Sequence, residues 1–171
     1  MSRAWISIGS NIAPERNVGA ALELLAADFG TLVCSPAYRT PAVGFEGEDF
    51  LNMVVGLDTD LSPPALAQRL REIEDRCGRV RGAARFSART LDLDLLSYDD
   101  RVLDADGLVL PRPEILEQAF VLGPLADVAP DDMHPLRHET YAALWRAMNA
   151  APLTPAALPA LVALRRAGRV R

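Results

Sequence analysis

Residues 78–94, GRVRGAARFSARTLDLD, contain the side chains of this sequence that are best suited to phosphate chemistry. Four arginines lie among residues that include Gly78, Gly82 and Ser87, and two aspartates close the segment. The charged residues are Arg79, Arg81, Arg85, Arg89, Asp92 and Asp94. A guanidinium group binds phosphate oxygens through two parallel hydrogen bonds, so arginines in a loop suit phosphate groups. Gly78 and Gly82 disfavour a continuous helix through the segment.

Asp92 and Asp94 have the spacing of two side chains on one face of a β-strand. Side chains two positions apart on a strand project together, about 7 Å from each other, while Leu91, Leu93 and Leu95 project to the opposite face. Two carboxylates at this separation suit Mg²⁺, which takes one or two carboxylates and completes its coordination with water and phosphate oxygens. The segment therefore favours metal-dependent phosphate transfer.

Simpler explanations of both features stay open. Arg81, Arg85 and Arg89 also have the spacing of a solvated stripe on a helix. Asp92 and Asp94 could equally form the wet face of an amphipathic strand. A third alternative is an RNA-binding module whose arginine loop touches phosphates. The net charge of −5 and the absence of the aromatic signature of RNA-binding sheets argue against it.

The composition limits the class of protein. The chain has 171 residues, of which 50% are hydrophobic, and this suits one globular domain. All 18 basic residues are arginine, which excludes a P-loop because that motif needs a lysine. Cys34 and Cys77 are too few for a disulfide framework or a cysteine zinc site, so we expect buried free thiols. No leader pattern and no stretch of about 20 apolar residues is present, so we expect a cytoplasmic protein.

The elements that must position the charged segment alternate between strands and helices. Apolar spacing and turn residues predict three strands at 4–8, 31–38 with a break at Pro36, and 50–59. They predict helices at 14–29 and 63–77, with Gly30 ending the first and Ser62 capping the second. With the acidic strand added, the order is strand, helix, strand, strand, helix, strand. This order predicts an α+β fold, a ferredoxin-like αβ sandwich with a mainly antiparallel sheet.

Six further predictions concern the loops, the second half of the chain and three aromatic residues. Gly9, Ser10 and Asn11 are interpreted as a structural turn, and 102–110 as a hairpin around Asp-Ala-Asp-Gly. A helix is predicted from Glu114 to Leu125, ended by Gly123 and Pro124, and another over 140–148 capped by Thr140. The last segment, 151–171, is expected to be partly helical or disordered, with no catalytic role. Three aromatic residues are assigned to the core: Phe29, Tyr38 and Trp145.

Four stretches of this chain resemble the 6-hydroxymethyl-7,8-dihydropterin pyrophosphokinases of the folate pathway. They are ISIGSN, YRTPAVG with FLN, GRVR through RTLDLDLL, and FVLGPL, and they span about Trp5 to Pro130. The resemblance implies a catalytic domain over residues 1–150 and a separate tail over 151–171. It also implies transfer of the pyrophosphoryl group of ATP to the pterin hydroxymethyl oxygen, with release of AMP.

The resemblance assigns roles on the nucleotide side of the site. Asp92 and Asp94 would hold two Mg²⁺ ions. The catalytic arginines that clamp the phosphates would be Arg79 and Arg89, with Arg81 and Arg85 closing over them. Glu74 and Arg112 would bind the nucleotide.

The resemblance also implies a pterin pocket. Phe50 and Phe120 would form its two aromatic walls, although core packing is the ordinary role of such residues. Asn52 would read the polar edge of the pterin, although an asparagine at a strand end commonly bonds its own backbone. Backbone groups of four residues would assist: Thr40, Pro41, Ala42 and Val43.

Two departures from the family pattern fall on the nucleotide side. Where the family commonly has Pro-His-Pro-Arg, this chain has Pro111 to Glu114, and we expect Arg112 to contact phosphate in place of the histidine. A common arginine is replaced by Gln118, and this loss is expected to weaken ATP binding. The alternative is a catalytically weakened pterin-binding or regulatory paralogue. The expected partners are pterin and ATP, with no nucleic acid or membrane, and a monomer is expected with a dimer as the alternative.

Overall fold

The computed structural model of the chain describes residues 1–42, 46–78 and 91–171, in which strands and helices alternate. The strands are β1 (Ser2–Ser10), β2 (Val33–Cys34), β3 (Ala37–Thr40), β4 (Phe50–Thr59), β5 (Asp92–Tyr98), β6 (Leu103–Ala105), β7 (Leu108–Leu110) and β8 (Thr154–Ala156). The helices are α1 (Pro14–Phe29), α2 (Pro63–Arg76), α3 (Glu114–Glu117), α4 (Ala119–Val128), α5 (Tyr141–Met148) and α6 (Pro159–Arg166).

The main sheet has the strand order β5-β1-β4-β3-β8, and β2 also pairs with β4. Every pairing of these named strands is antiparallel. The run from β1 to β5 contains two crossover helices, α1 and α2, so the central strands follow the ferredoxin-like order. The predicted α+β class and mainly antiparallel sheet are confirmed.

Strand alternation divides the interior into two apolar clusters, one on each face of the sheet. Ala4, Ile6 and Ile8 of β1 are 0% exposed and pack with α1, α2 and α6. Trp5 points to the opposite face, where it packs with Val54 and with α3, α4 and α5. The period of two along one strand therefore supplies both cores.

Three predicted helix ends are confirmed. The backbone N–H of Gly30, which has φ 80°, donates to the carbonyl of Ala26 at the end of α1. Ser62 and Thr140 cap α2 and α5, and their hydroxyl oxygens accept from backbone N–H groups at 3.4 and 3.1 Å.

The predicted hairpin is also found, as strands β6 and β7. The two residues between them, Asp106 and Gly107, both have positive φ, at 54° and 77°. Two such residues form the tight turn that best fits the twist of a hairpin.

Strand β1 and the helix after the hairpin differ from prediction. Strand β1 continues to Ser10, because Gly9 and Ser10 pair with β4 instead of forming a turn. The prediction of one helix from Glu114 to Leu125 is wrong in two respects: the helix is interrupted at Gln118, and it does not end at Gly123 and Pro124. An extended residue, Gln118 (φ −120°, ψ 120°), divides it into α3 and α4. Helix α4 then runs through Gly123 and Pro124 to Val128.

Burial explains why α4 does not stop at Gly123. A Cβ atom on Gly123 would lie 2.8 Å from Leu153 Cδ1 and 3.1 Å from Trp145 Cη2, so the missing side chain lets these groups pack directly on the helix. Leu122 and Leu125 are buried against the sheet. This packing outweighs the local tendency of glycine and proline to end a helix.

The segment 151–171 is ordered on the same core. Strand β8 pairs with β3, and α6 places Leu161 and Leu164 in the cluster under α1. Near the C-terminus, the N–H of Leu32 donates to the carbonyl of Arg169 at 3.0 Å. Of the two alternatives predicted for 151–171, a partial helix or disorder, the structure shows a helix, together with a short strand. The division of function at residue 150 stays a prediction.

Two remaining sequence predictions concern the thiols and membranes. Cys34 is buried as predicted and Cys77 only partly so, and both are free. Burial raises the pKa of the Cys34 thiol to about 12. No helix in the described ranges has the length and apolar character needed to cross a membrane. The expected cytoplasmic location stays a prediction.

The docking of α6 leads to a stability prediction. Leu161→Ala should lower the free energy of unfolding by about 2–5 kcal/mol, because it opens a cavity in the core. Denaturant unfolding checks this. Val162→Ala, on the same helix but 48% exposed, is the matched control and should change stability by no more than about 0.5 kcal/mol. Equal effects from both variants would show that α6 does not belong to the core.

His134 fixes the loop between α4 and α5. Its side chain is 2% exposed, and its Nδ1 accepts hydrogen bonds from the N–H groups of Leu136 and Arg137, both at 3.2 Å. Burial lowers the pKa of His134 below the ordinary value of 6.5, and the charges of Arg137 and His138 lower it further. Folding therefore favours the neutral form of His134.

This lowered pKa predicts a loss of stability in acid. The unfolded chain takes up the proton first, so the contribution is complete above about pH 6.5 and is lost as the pH falls through the folded pKa. His134→Asn keeps an acceptor but cannot titrate, so its melting temperature should fall less than that of the wild type between pH 7 and pH 5. His138→Asn is the control and should keep most of the wild-type slope, because His138 is the smallest of the three causes that lower the pKa of His134. A wild-type slope in His134→Asn would contradict the prediction.

Candidate active site

One row of residues crosses four strands near one end of the sheet. The register pairs Tyr38 with Asn52, Asn52 with Gly9, and Gly9 with Asp92. Directly opposed residues of antiparallel strands point to the same face. Strands lie about 4.8 Å apart, so Asn52 and Asp92 stand about 10 Å apart with Gly9 between them.

The predicted carboxylate pair lies at the β5 end of this row. Asp92 and Asp94 are half-buried on one face of β5, whereas Leu93 and Leu95 are 4% and 3% exposed in the opposite core. Asp94 is opposed by Ser7 of β1. The alternation predicted from the sequence is confirmed, and both carboxylates face the α3–α5 side of the sheet.

Negative charge accumulates around Asp94. The pKa of Asp94 is raised to about 7, chiefly by burial and next by the carboxylate of Asp92. Glu74 of α2 and Glu114 of α3 act in the same direction, while the guanidinium of Arg112 opposes them. A divalent cation would relieve this repulsion.

The donor chemistry of the pair fits Mg²⁺ only if other ligands complete the site. In residues 1–42, 46–78 and 91–171, no group of three or more histidine, cysteine, aspartate or glutamate side chains is arranged to hold a metal ion. Two carboxylates supply hard oxygen ligands and leave most coordination positions to water and phosphate oxygens. That is the usual pattern for Mg²⁺ bound together with a phosphorylated substrate.

Arg112 lies directly against the carboxylates. Its Nη2 is 3.4 Å from Asp94 Oδ1, and its Nε is 3.1 Å from Glu114 Oε2. Its backbone N–H donates to the carbonyl of Leu96 at 2.8 Å, which fixes the residue beside β5. The expected contact between Arg112 and phosphate stays a prediction.

A buried amide occupies the middle of the row. Asn52 is 7% exposed, and its Nδ2 donates to the hydroxyl of Thr40, which is 6% exposed. Phe50, two residues before Asn52 on the same face, is half-buried and pairs with Thr40 across the strands. Pro41 and Ala42 follow Thr40 at the end of β3. Of the residues predicted to read a polar edge, those that the structure describes are therefore adjacent.

Gly9 has no side chain, and this leaves open space next to the Asn52 amide. A Cβ atom at Gly9 would lie 2.9 Å from Asn52 Oδ1 and 3.8 Å from Phe50 Cδ1. Between the amide of Asn52 and the carboxylate pair, the surface of the sheet is therefore the bare backbone of β1 at Gly9, which we call the floor of the row. Gly9 was predicted from the sequence to lie in a structural turn, but it lies within β1 and opposes Asn52. The stretch ISIGSN, which contains Gly9, was the signal that could have pointed to it.

Phe120 and Tyr38 border the row from α4 and β3. Phe120 is half-buried in the first turn of α4 and packs against the cluster that contains Val54. Tyr38, assigned from the sequence to the core, is only half-buried, and its hydroxyl donates to Asp127 of α4. Burial, followed by this hydrogen bond, raises the pKa of Tyr38 to about 12. Tyr38 therefore ties β3 to the helix that carries Phe120.

Several predicted site residues lie outside the described residues. They are Val43, Arg79, Arg81, Arg85 and Arg89. Glu74 is described, is 4% exposed, and lies near the end of α2, just before this undescribed stretch.

Comparisons with known proteins show the family of this chain. The family model for 7,8-dihydro-6-hydroxymethylpterin-pyrophosphokinase (HPPK) matches residues 5–130. A 2-amino-4-hydroxy-6-hydroxymethyldihydropteridine pyrophosphokinase from Synechocystis is 39% identical over 157 residues, covering 90% of this chain and 80% of the relative. The protein of the same name from Methylorubrum extorquens is 43% identical over 135 residues, covering 77% of this chain and 85% of the relative.

Solved structures show the same fold. A Plasmodium falciparum HPPK-DHPS triple mutant aligns with a TM-score of 0.70 at 13% identity over 86% of this chain. The wild-type P. falciparum protein with pteroate aligns with a TM-score of 0.68 at 14% identity, also over 86% of this chain. This chain covers only 43% and 42% of those longer chains.

The family match covers more than half of the chain, and the two curated relatives exceed 30% identity over most of both sequences. The chain therefore belongs to the 7,8-dihydro-6-hydroxymethylpterin-pyrophosphokinase family, whose reaction transfers pyrophosphate from ATP to hydroxymethyldihydropterin in folate biosynthesis.

Proposed function

We propose that this chain carries out the family reaction at the sheet row formed by Asn52, Gly9 and Asp92. The observation that carries the proposal is the register of β1 between β4 and β5, which puts an amide and a carboxylate pair on one face. The amide suits the donor and acceptor edge of a pterin, and the carboxylates suit a metal–nucleotide complex. The hydroxymethyl group would then lie between them, above Gly9.

The pterin would bind at the Asn52 end of the row. Phe50 and Phe120 would cover the two faces of the ring, as flat heterocycles favour aromatic neighbours. Asn52, held by the hydroxyl of Thr40, would pair with the polar edge. Backbone groups that follow Thr40, at Pro41, Ala42 and Val43, would complete that edge.

ATP would bind at the carboxylate end. Asp92 and Asp94 would hold Mg²⁺, proposed as two ions, and bound Mg²⁺ would neutralise phosphate charge and favour ionisation of the attacking hydroxyl. The proposed phosphate clamp consists of Arg79 and Arg89, with Arg81 and Arg85 closing over the nucleotide. Glu74 and Arg112 would line the same end.

This arrangement needs no side-chain base. Phosphoryl transfer gains most of its rate from positioning and pre-placed charge, and the row supplies both on rigid strands. Because the described row lies on one chain, a monomer is the proposed active unit. The segment 1–150 would carry the chemistry, and 151–171 would brace β3 through β8.

Pterin-dependent release of AMP tests this function. Purified protein with 6-hydroxymethyl-7,8-dihydropterin, ATP and Mg²⁺ should form AMP, and the same mixture without pterin should not. Asp92→Ala should lower the rate roughly 10³-fold or more, because losing a metal ligand removes several kcal/mol of charge stabilisation. Its melting temperature should change little, since Asp92 is only half-buried.

Asp104→Asn, which removes an exposed carboxylate from β6, is the matched control and should keep full activity. Near-normal turnover by Asp92→Ala would refute the metal assignment. Pterin binding without any AMP formation by the wild type would instead indicate the inactive paralogue.

The floor of the row yields a separate prediction. Gly9→Ala should raise the KM for the pterin about 10-fold or more, because the new methyl group would enter the space beside Asn52 Oδ1. Steady-state kinetics at saturating ATP measures this value.

Gly19→Ala is the matched control for Gly9→Ala. Its Cβ atom would meet Ala160 Cβ at 2.9 Å between α1 and α6, on the other side of the sheet. It should affect stability and leave the KM for the pterin unchanged. An unchanged KM in a folded Gly9→Ala protein would exclude Gly9 from the pocket floor.

A further inference from the structure

The guanidinium of Arg112 lies between two carboxylates at the proposed metal end of the row. It is 3.4 Å from Asp94 through Nη2 and 3.1 Å from Glu114 through Nε. The side chains of Arg112, Asp94 and Glu114 are 33%, 29% and 33% exposed, so this ion-pair network is only partly hydrated. The positive charge of Arg112 thus occupies the neighbourhood in which a cation is expected on Asp94.

The two contacts of Arg112 differ in quality. Glu114 Oε2 is close to the guanidinium but makes no hydrogen bond, and in the described part of the chain it is the one buried side-chain polar atom of which this is true. An acceptor that is buried and unsatisfied favours any motion that brings a donor into line with it. A small rotation of the guanidinium away from Asp94 would do so.

The backbone allows this rotation without moving Arg112 itself. The N–H of Arg112 is bonded to the carbonyl of Leu96, and Glu114 lies two residues later in the first turn of α3. Glu114 is therefore fixed beside Arg112 whichever way the guanidinium points.

We propose that Arg112 is the resident counter-cation of Asp94, and that Glu114 is a positioning residue that receives the guanidinium when a divalent cation takes its place. The inference rests on the proposed metal role of Asp94. It predicts that Arg112 competes with the metal and that Glu114 reduces this competition.

Binding of Mn²⁺ to the nucleotide-free protein tests the exchange. Free Mn²⁺ is measured by electron paramagnetic resonance for the wild type, Arg112→Gln, Glu114→Gln and the double variant. Arg112→Gln should tighten Mn²⁺ binding about three- to fivefold, as expected for removal of a partly exposed ion pair. Glu114→Gln should weaken it by a similar factor, because the guanidinium then stays on Asp94. Absence of measurable binding in every protein, Arg112→Gln included, would overturn the proposal.

The double variant separates this exchange from a general effect of charge. If Glu114 acts through Arg112, adding Glu114→Gln to Arg112→Gln should leave Mn²⁺ affinity unchanged. Equal weakening by Glu114→Gln in both backgrounds would mean that Glu114 acts only as a nearby negative charge, and the proposal would fall. Glu117→Gln, which removes an exposed carboxylate from the same helix, should match the wild type.

Two further variants keep the result interpretable. Glu114→Asp retains the charge but shortens the side chain, so it should behave like Glu114→Gln if contact with Arg112 matters. Asp94→Asn should abolish Mn²⁺ binding and AMP formation. If Asp94→Asn keeps both, the proposed metal role fails. If it loses both while the Arg112 and Glu114 variants bind Mn²⁺ like the wild type, the proposed function stands and the exchange is refuted.

Discussion

The antiparallel pairing of β1 with β4 on one side and β5 on the other is the constraint on which the rest of the structure depends. Because side chains alternate along a strand, a slip of one residue would move every side chain of β1 to the opposite face. In the observed register, Ile6 and Ile8 enter one core, Trp5 enters the other, and Gly9 falls between Asn52 and Asp92. The burial that stabilises the sheet therefore also aligns the candidate active site.

Charge is the second constraint, and it acts against the fold. Partial burial of Asp94 beside Asp92 concentrates negative charge on one face of β5. Arg112 offsets part of that charge within the described residues. The neighbouring elements α2, α3 and β1 hold these carboxylates close together. Their mutual repulsion makes binding of a cation favourable. This preference for a cation belongs to the arrangement of strands and helices and not to one side chain.

Features set by near neighbours in the sequence could be predicted, whereas features set by distant contacts could not. The alternation around Asp92, the cap at Ser62 and the turn at Gly107 follow from local periodicity and backbone preference. The continuation of α4 through Gly123 depends on Trp145 and Leu153, which no local pattern connects to it. The bond from Tyr38 to Asp127 and the docking of α6 likewise require the assembled fold. Gly9 is a further example, because its surroundings are set by Asn52 and Asp92 on the two adjacent strands.

The absence of a side chain at Gly9 has a consequence for inhibitor design. A compound that lies on this part of β1 would touch peptide backbone, which is the same whatever residue is encoded. Substitution could not remove that contact and could only obstruct it, and an added side chain would meet Asn52 at 2.9 Å. If the pterin binds above Gly9 as proposed, a substitution that blocked such a compound at this position would block the substrate at the same time. Substitutions at Gly9 that give resistance to such a compound should therefore be difficult to obtain.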